Sequence, residues 1–284
     1  MKNTSESTII ICSIVRNAEK GLRRNIPVIK QLCSCFSDYM VFVYENDSDD
    51  KTKKLLSEWA ASDSDHVLVS LNDNDHTNTI PTQNETGKVN PFYSARRINK
   101  MAKLRNHYMD YVEQHNWGAD YMMVIDLDVA GLSLDGILNS FESREDWHAI
   151  TAYGYSLGPN LRKRYHDTYA LTEYGDEYTP QTTKKIHFLA KKYGKLVGSQ
   201  DLIRVFSAFG GLAIYKFEAV RGLKYQAIPN EDEKVEVRCE HYSIYKQMVE
   251  RGYDKIYINP QMALKYQALT LKIILNSIRR KLRI

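Results

Sequence analysis

"YMMVIDLDVAG" (residues 121–131) is an apolar run that closes on two carboxylates, Asp126 and Asp128. A short, unbroken apolar run reads as a strand buried on both faces, the kind found inside a parallel sheet. Ligands of open α/β sheets bind outside the carboxyl ends of such strands. Alternation along an extended chain puts the two aspartates on one side. Like charges held close repel, and a divalent cation relieves the repulsion. Mg²⁺ and Mn²⁺ are hard ions that prefer oxygen ligands and leave positions for phosphate. The stretch therefore predicts a site for metal and diphosphate. The plainer alternative is a solvated turn with two unrelated aspartates.

The flanking sequence supports a sheet around this strand. "TIIICSIV" (8–15), "YMVFVYEN" (39–46) and "HVLVSLN" (66–72) are predicted strands, and helices are predicted over 19–36, 48–62 and 94–115. Strand and helix in alternation argue for a parallel α/β arrangement. Residues 73–92 are polar, rich in turn formers and without periodicity, which predicts a long loop. The second half is less regular. Strands or strand–helix joins are expected at 148–156 and 211–220, and a helix, a glycine stop at Gly252 and a strand within 239–261.

Composition narrows the functional classes. The chain has 284 residues and a formal charge of +4, a weaker basic excess than nucleic-acid binders carry, so no such partner is expected. Cys12, Cys33, Cys35 and Cys239 lack zinc-like spacing and suit reduced thiols in a cytoplasmic protein. The amino terminus lacks the marks of a signal peptide, and no run approaches the roughly 18 apolar residues of a spanning helix. No P-loop, G-x-G-x-x-G, G-x-S-x-G or H-E-x-x-H motif occurs.

Further candidates lie where other strands end. Ile14, Arg16 and Asn17 close the first strand, and a guanidinium there suits a diphosphate. Glu45 and Asp47 suit hydrogen bonds from a base or ribose, although Asp47 or Ser48 as a helix cap is the structural alternative. Arg105, on the helix before the D-x-D strand, is a second phosphate candidate. Adjacent Gly210 and Gly211 permit close backbone approach to a ligand or simply form a tight turn. Glu240 suits a general base at a helix start, and His241 a third metal ligand beside Asp126 and Asp128.

In serial order, "SIVRNAEKGLRRNIP", "VFVYENDSDDKT", "RRINKMAKLRN", "VIDLDVAG", "YHDTYAL", "FGGLAIYKFEAV" and "CEHYSIYKQM" resemble the fungal capsule-associated mannosyltransferases, glycosyltransferase family 69, and their bacterial relatives. The resemblance spans about residues 8 to 260. It implies a GT-A fold with a mostly parallel central sheet, helices on its flanks and an irregular acceptor-side half. It implies a nucleotide-diphosphate sugar donor, GDP- or UDP-linked, with Mn²⁺ or Mg²⁺ at the D-x-D. Asp126 and Asp128 would hold metal and donor, with Arg16, Glu45, Asp47 and Arg105 around the nucleotide. Gly210, Gly211, Glu240 and His241 would line the sugar and acceptor side. The expected acceptor is a surface polysaccharide or glycolipid. A sugar nucleotidyltransferase and a non-catalytic carbohydrate-binding module are the competing classes; "SIVRNAEKG" lacks the Gly-rich basic signature of the former.

The expected division is a catalytic domain over 1–266 and a basic amphipathic tail over 267–284. Within the tail, 270–284 would lie on an anionic membrane surface, placing the enzyme at the inner face.

Overall fold

The computed structural model describes residues 3–73, 80–143, 145–157, 162–196, 199 and 201–267. The strands are β1 (Thr8–Val15), β2 (Asp38–Asn46), β3 (Val67–Asn72), β4 (Tyr121–Ile125), β5 (Ala149–Leu157), β6 (Lys163–Tyr165), β7 (Thr172–Glu173), β8 (Ile203–Ser207), β9 (Leu212–Lys216) and β10 (Ile256–Lys265). The helices are α1 (Glu19–Cys33), α2 (Thr52–Ser62), α3 (Gln83–Thr86), α4 (Ala95–Gln114), α5 (Leu134–Glu142), α6 (Thr183–Tyr193), α7 (Phe217–Val220) and α8 (Glu240–Glu250).

The sheet runs β3-β2-β1-β4-β9-β5-β10-β8-β7, with β6 on β5. It is parallel across β3, β2, β1 and β4 and again between β5 and β10; β9 runs antiparallel between β4 and β5. Alternation along β1 separates two cores. Ile9, Ile11 and Val15 pack with α1, α2 and α5, whereas Ile10 and Cys12 pack with α4, α6, α7 and α8. The result is a helix–sheet–helix sandwich.

Two sequence expectations change. The stretch after β3 is not all loop: Thr82 caps the short α3, with Glu85 closing a reciprocal capping box. Neither Asp47 nor Ser48 caps α2. The Thr52 amide donates to Asp50 Oδ1, and Ser48 Oγ accepts from the Asn17 amide. The expected membrane tail lies, but for Gln267, outside the described residues. Among the described residues, no helix is long and apolar enough to cross a membrane.

Candidate active site

The order β2-β1-β4 makes the chain switch direction across the sheet at β1, and a crevice opens at the carboxyl ends of β1 and β4. There lies a cleft of ≈ 620 Å³, lined by Ile14 and Arg16 after β1, by Asn46, and by Asp126 and Asp128 after β4. Helix α4 contributes Arg97, Met101, Leu104 and Arg105, spaced to share one helical face. The far wall is Asp167, Phe209, Glu240, His241 and Tyr266.

The turn that carries the two aspartates is held from below. Leu127 and Val129 point into the core, each 1% exposed. Asn25 of α1 donates to both of their carbonyls at 2.9 Å. A Cβ on Gly21 would stand 2.4 Å from the Leu127 carbonyl oxygen and 2.5 Å from Asp128 Cα, so α1 rides directly on the turn. The Asp126 amide donates to the Gly211 carbonyl at 2.9 Å. Held this way, both aspartates line the cleft.

Arg105 sits at the centre, 4% exposed. Its Nε donates to Glu240 Oε1 at 3.0 Å, and its Nη2 lies 3.6 Å from Asp126 Oδ1. The guanidinium lies over the Phe209 ring, 5.0 Å from its centroid. Burial alone would raise the pKa of Glu240. Its neighbours His241, Arg105 and Arg97 hold it well below the usual carboxylate range instead. Burial raises Asp126 to about 7, with the Asp128 charge adding and Arg105 opposing. Asp128 is also raised by burial. Tyr266 donates to Asp126 Oδ2 at 3.3 Å and stacks on His166, with ring centroids 3.5 Å apart.

His241 stacks on Phe209, with centroids 3.8 Å apart, and lies 3.8 Å from Glu240 Oε1. Neither ring nitrogen has a hydrogen-bond partner among the described residues, and burial pulls its pKa well below the ordinary value. It is therefore a neutral imidazole with free lone-pair capacity. The expectation of a three-residue cage does not hold: among the described residues, no three His, Cys, Asp or Glu side chains converge to hold a metal. Two raised carboxylates at the base of the cleft still fit a hard cation whose other ligands come from a bound molecule.

Five expected residues lie outside the cleft. Glu45 is fully buried and accepts from the Ser48 amide at 2.7 Å. Asp47 is 5% exposed and adopts φ 57°, while its neighbour Asn46 lines the cleft. Asn17 accepts from the Asp49 amide at 2.9 Å and ties the two strand ends together. Gly210, at φ 64°, packs on β5: its Cβ would meet the Ala152 carbonyl oxygen at 2.4 Å, and that of Gly154 would meet the Gly210 oxygen at 2.3 Å. Gly211, at φ 95°, faces Leu264. These two glycines serve strand packing and the Asp126 amide.

Asp167 was not singled out by sequence reasoning, although it lies in the segment "YHDTYAL". It faces the cleft in the left-handed backbone region at φ 64°, and no ion pair engages it among the described residues. Burial raises its pKa to about 7, with the charges of Glu240 and Asp126 reinforcing the shift. The only sequence signal was an acidic residue of a type that tolerates this backbone, set among aromatics. Tyr266 carried no signal at all.

A cleft at the sheet's switch point, with a D-x-D turn at its base and buried arginine beside it, defines the GT-A class of glycosyltransferase. Within that class, the chain belongs to the family described as Cryptococcal mannosyltransferase 1, whose model matches residues 8–246. No curated protein matches the sequence. Solved structures with a similar layout include the mannosyltransferase PcManGT from Pyrobaculum calidifontis in complex with GDP-Man and Mn²⁺. It is 10% identical, with 99% of this chain and 66% of that chain covered and a TM-score of 0.48. S. aureus TarS 1-349 is 12% identical, with 96% and 64% covered and a TM-score of 0.45. Glucosyl-3-phosphoglycerate synthase from Mycobacterium tuberculosis, in complex with Mn²⁺, UDP-glucose and phosphoglyceric acid, is 12% identical, with 98% and 79% covered and a TM-score of 0.47. The chain spans just under two thirds of the length of the first two.

Proposed function

We propose that this chain is a metal-dependent hexosyltransferase that takes a sugar, mannose first among the candidates, from a GDP- or UDP-linked donor to a glycan or lipid-linked acceptor. The observation that carries the reading is the arrangement of Asp126 and Asp128 at the switch-point cleft, both raised by desolvation, with Arg105 beside Asp126. The family description favours mannose. Asp126 and Asp128 would hold Mn²⁺ or Mg²⁺ together with the donor diphosphate. The cation, when bound, stabilises charge developing on the leaving diphosphate. Arg16 and Arg105 add fixed positive charge to the same end of the cleft, and Ile14 and Asn46 offer the nucleotide a floor.

On the acceptor side, Glu240 has the expected place but not the expected proton affinity. Its salt bridge keeps it ionised, and a carboxylate that binds protons so weakly makes a poor base. Its part is to fix Arg105. Asp167 opens on the same cleft with a pKa close to the working pH, the condition for efficient proton transfer, and we assign it the acceptor's proton. The tail over 267–284 remains, in this reading, a contact with an anionic membrane surface.

A thermal-shift panel of nucleotide sugars tests the donor assignment. One GDP- or UDP-sugar should raise the melting temperature only with Mn²⁺ or Mg²⁺ present. At a hundredfold excess over Kd the gain is about 2.7 kcal/mol. Asp128→Ala should abolish the gain without lowering the melting temperature of the free protein. Equal shifts without metal, or in the variant, would sink the assignment.

A further inference from the structure

Helix α6 turns Ile186, Leu189 and Tyr193 into the core. Its opposite face carries exposed Lys184, His187, Phe188 and Lys191, and exposed Lys195 extends the ridge past the helix end. The Phe188 side chain is 60% exposed, at the centre of this basic ridge. Lys185 and Lys192, on the flanks, pair with Asp176 and Glu173. Lys184, Lys191 and Lys195 pair with no acidic side chain among the described residues.

The positive surface continues beyond the helix. A Cβ on Gly194 would lie 2.9 Å from the Lys163 carbonyl oxygen, so the helix end abuts β6 and its exposed Lys163 and Arg164. Arg164, Ile186 and Ala190 also line the cleft. The ridge therefore flanks the mouth of the site.

We propose that the outer face of α6 docks the enzyme on an anionic lipid bilayer, with Phe188 entering the headgroup layer and Lys184, Lys191 and Lys195 meeting lipid phosphates. Two features favour a bilayer over a soluble polyanion. The helix face is convex, which suits a broad planar partner better than a chain that needs a groove. An apolar ring among lysines also matches the boundary between charged headgroups and acyl chains. Docked this way, the cleft mouth lies at the lipid surface, within reach of a lipid-linked acceptor. The docking itself does not depend on which sugar is moved.

Sedimentation of the full chain with phosphatidylcholine vesicles, with and without phosphatidylglycerol, tests the surface. The wild type should sediment with the anionic vesicles at low salt and be released by high salt. Reversing Lys184, Lys191 and Lys195 to Glu should weaken vesicle affinity at least about a hundredfold, about fivefold per charge lost. Phe188→Ser should weaken it less, and with weaker salt dependence of the lost part. Both variants should keep the wild-type melting temperature. A full chain with Lys272, Arg279, Arg280, Lys281 and Arg283 changed to Gln should retain vesicle binding that still depends on Lys184 and Lys191. Undiminished binding by the charge-reversed chain would overturn the proposal. So would wild-type binding to a soluble acidic polysaccharide without binding to vesicles.

Discussion

Two walls of the cleft share one guanidinium and treat it differently. At the start of α8, Glu240 meets Arg105 at 3.0 Å and stays ionised in a buried position. At the end of β4, Asp126 stands 3.6 Å from the same side chain and is still pushed up to about 7. On one wall His241, Arg105 and Arg97 together outweigh burial, whereas on the other Arg105, at a longer approach and beside a second carboxylate, does not. The carboxylate of the α8 wall is thus settled as it stands. The β4 wall carries charge that a bound cation would settle.

Removing the shared group breaks the comparison most severely. Arg105→Met should destabilise the protein by about 3–5 kcal/mol, because Glu240 is left buried without its partner. Urea unfolding reads this directly, and turnover should vanish with it. A loss below about 1 kcal/mol would mean that Glu240 finds water or another donor.

Asp167→Asn addresses the third carboxylate facing the same guanidinium. Turnover should fall by roughly two or more orders of magnitude if Asp167 takes the acceptor's proton. Stability should change in the opposite sense. A carboxyl whose folded pKa is about 7 against an ordinary 3.8 favours the fold when protonated, and that contribution is lost as pH rises through this window. The variant, with no proton to lose, should therefore melt above the wild type at pH 8 and flatten the pH dependence between about 4 and 7. Melting scans across pH check this; an unchanged profile would place the titrating group elsewhere.

Glu240→Gln should have the smallest effect of the three. The amide oxygen still accepts from Arg105, so the loss is one of charge assistance, about 1.5–3 kcal/mol of stability. Donor affinity, read by titration calorimetry, should hold, and turnover should fall less than in Asp167→Asn. The reverse order would restore Glu240 as the base.

The walls also differ in how well the sequence shows them. The β4 wall was legible because its elements are local: an uninterrupted apolar strand, a D-x-D at its end and helices of clear period before it. Asp126, Asp128 and Arg105 were found that way. The α8 wall is assembled from distant segments. Asp167 comes from the link between β6 and β7, Phe209 from the turn before β9, and Tyr266 from just past β10. Non-local pairing, antiparallel for β9 and parallel for β10 on β5, brings them together, and no periodicity records it. The misplacements have a similar cause. Glu45 and Gly210 have residue types that suit ligands equally well, and only the fold shows that Glu45 Oε1 accepts from the Ser48 amide and that Gly210 packs on β5.

The packing of Gly154 against Gly210 also limits how this scaffold can diversify. A side chain at either position would run into main chain, not into a side chain that a second change might shorten. A lineage moving by single substitutions therefore finds no passable first step at this crossing, and compensation elsewhere in the core offers none. Because Gly211, next in the chain, fixes the Asp126 amide, drift excluded from the crossing is excluded from the D-x-D turn as well. Divergence in substrate range should then accumulate around the rim near Phe92 and Arg164, while this crossing stays as it is.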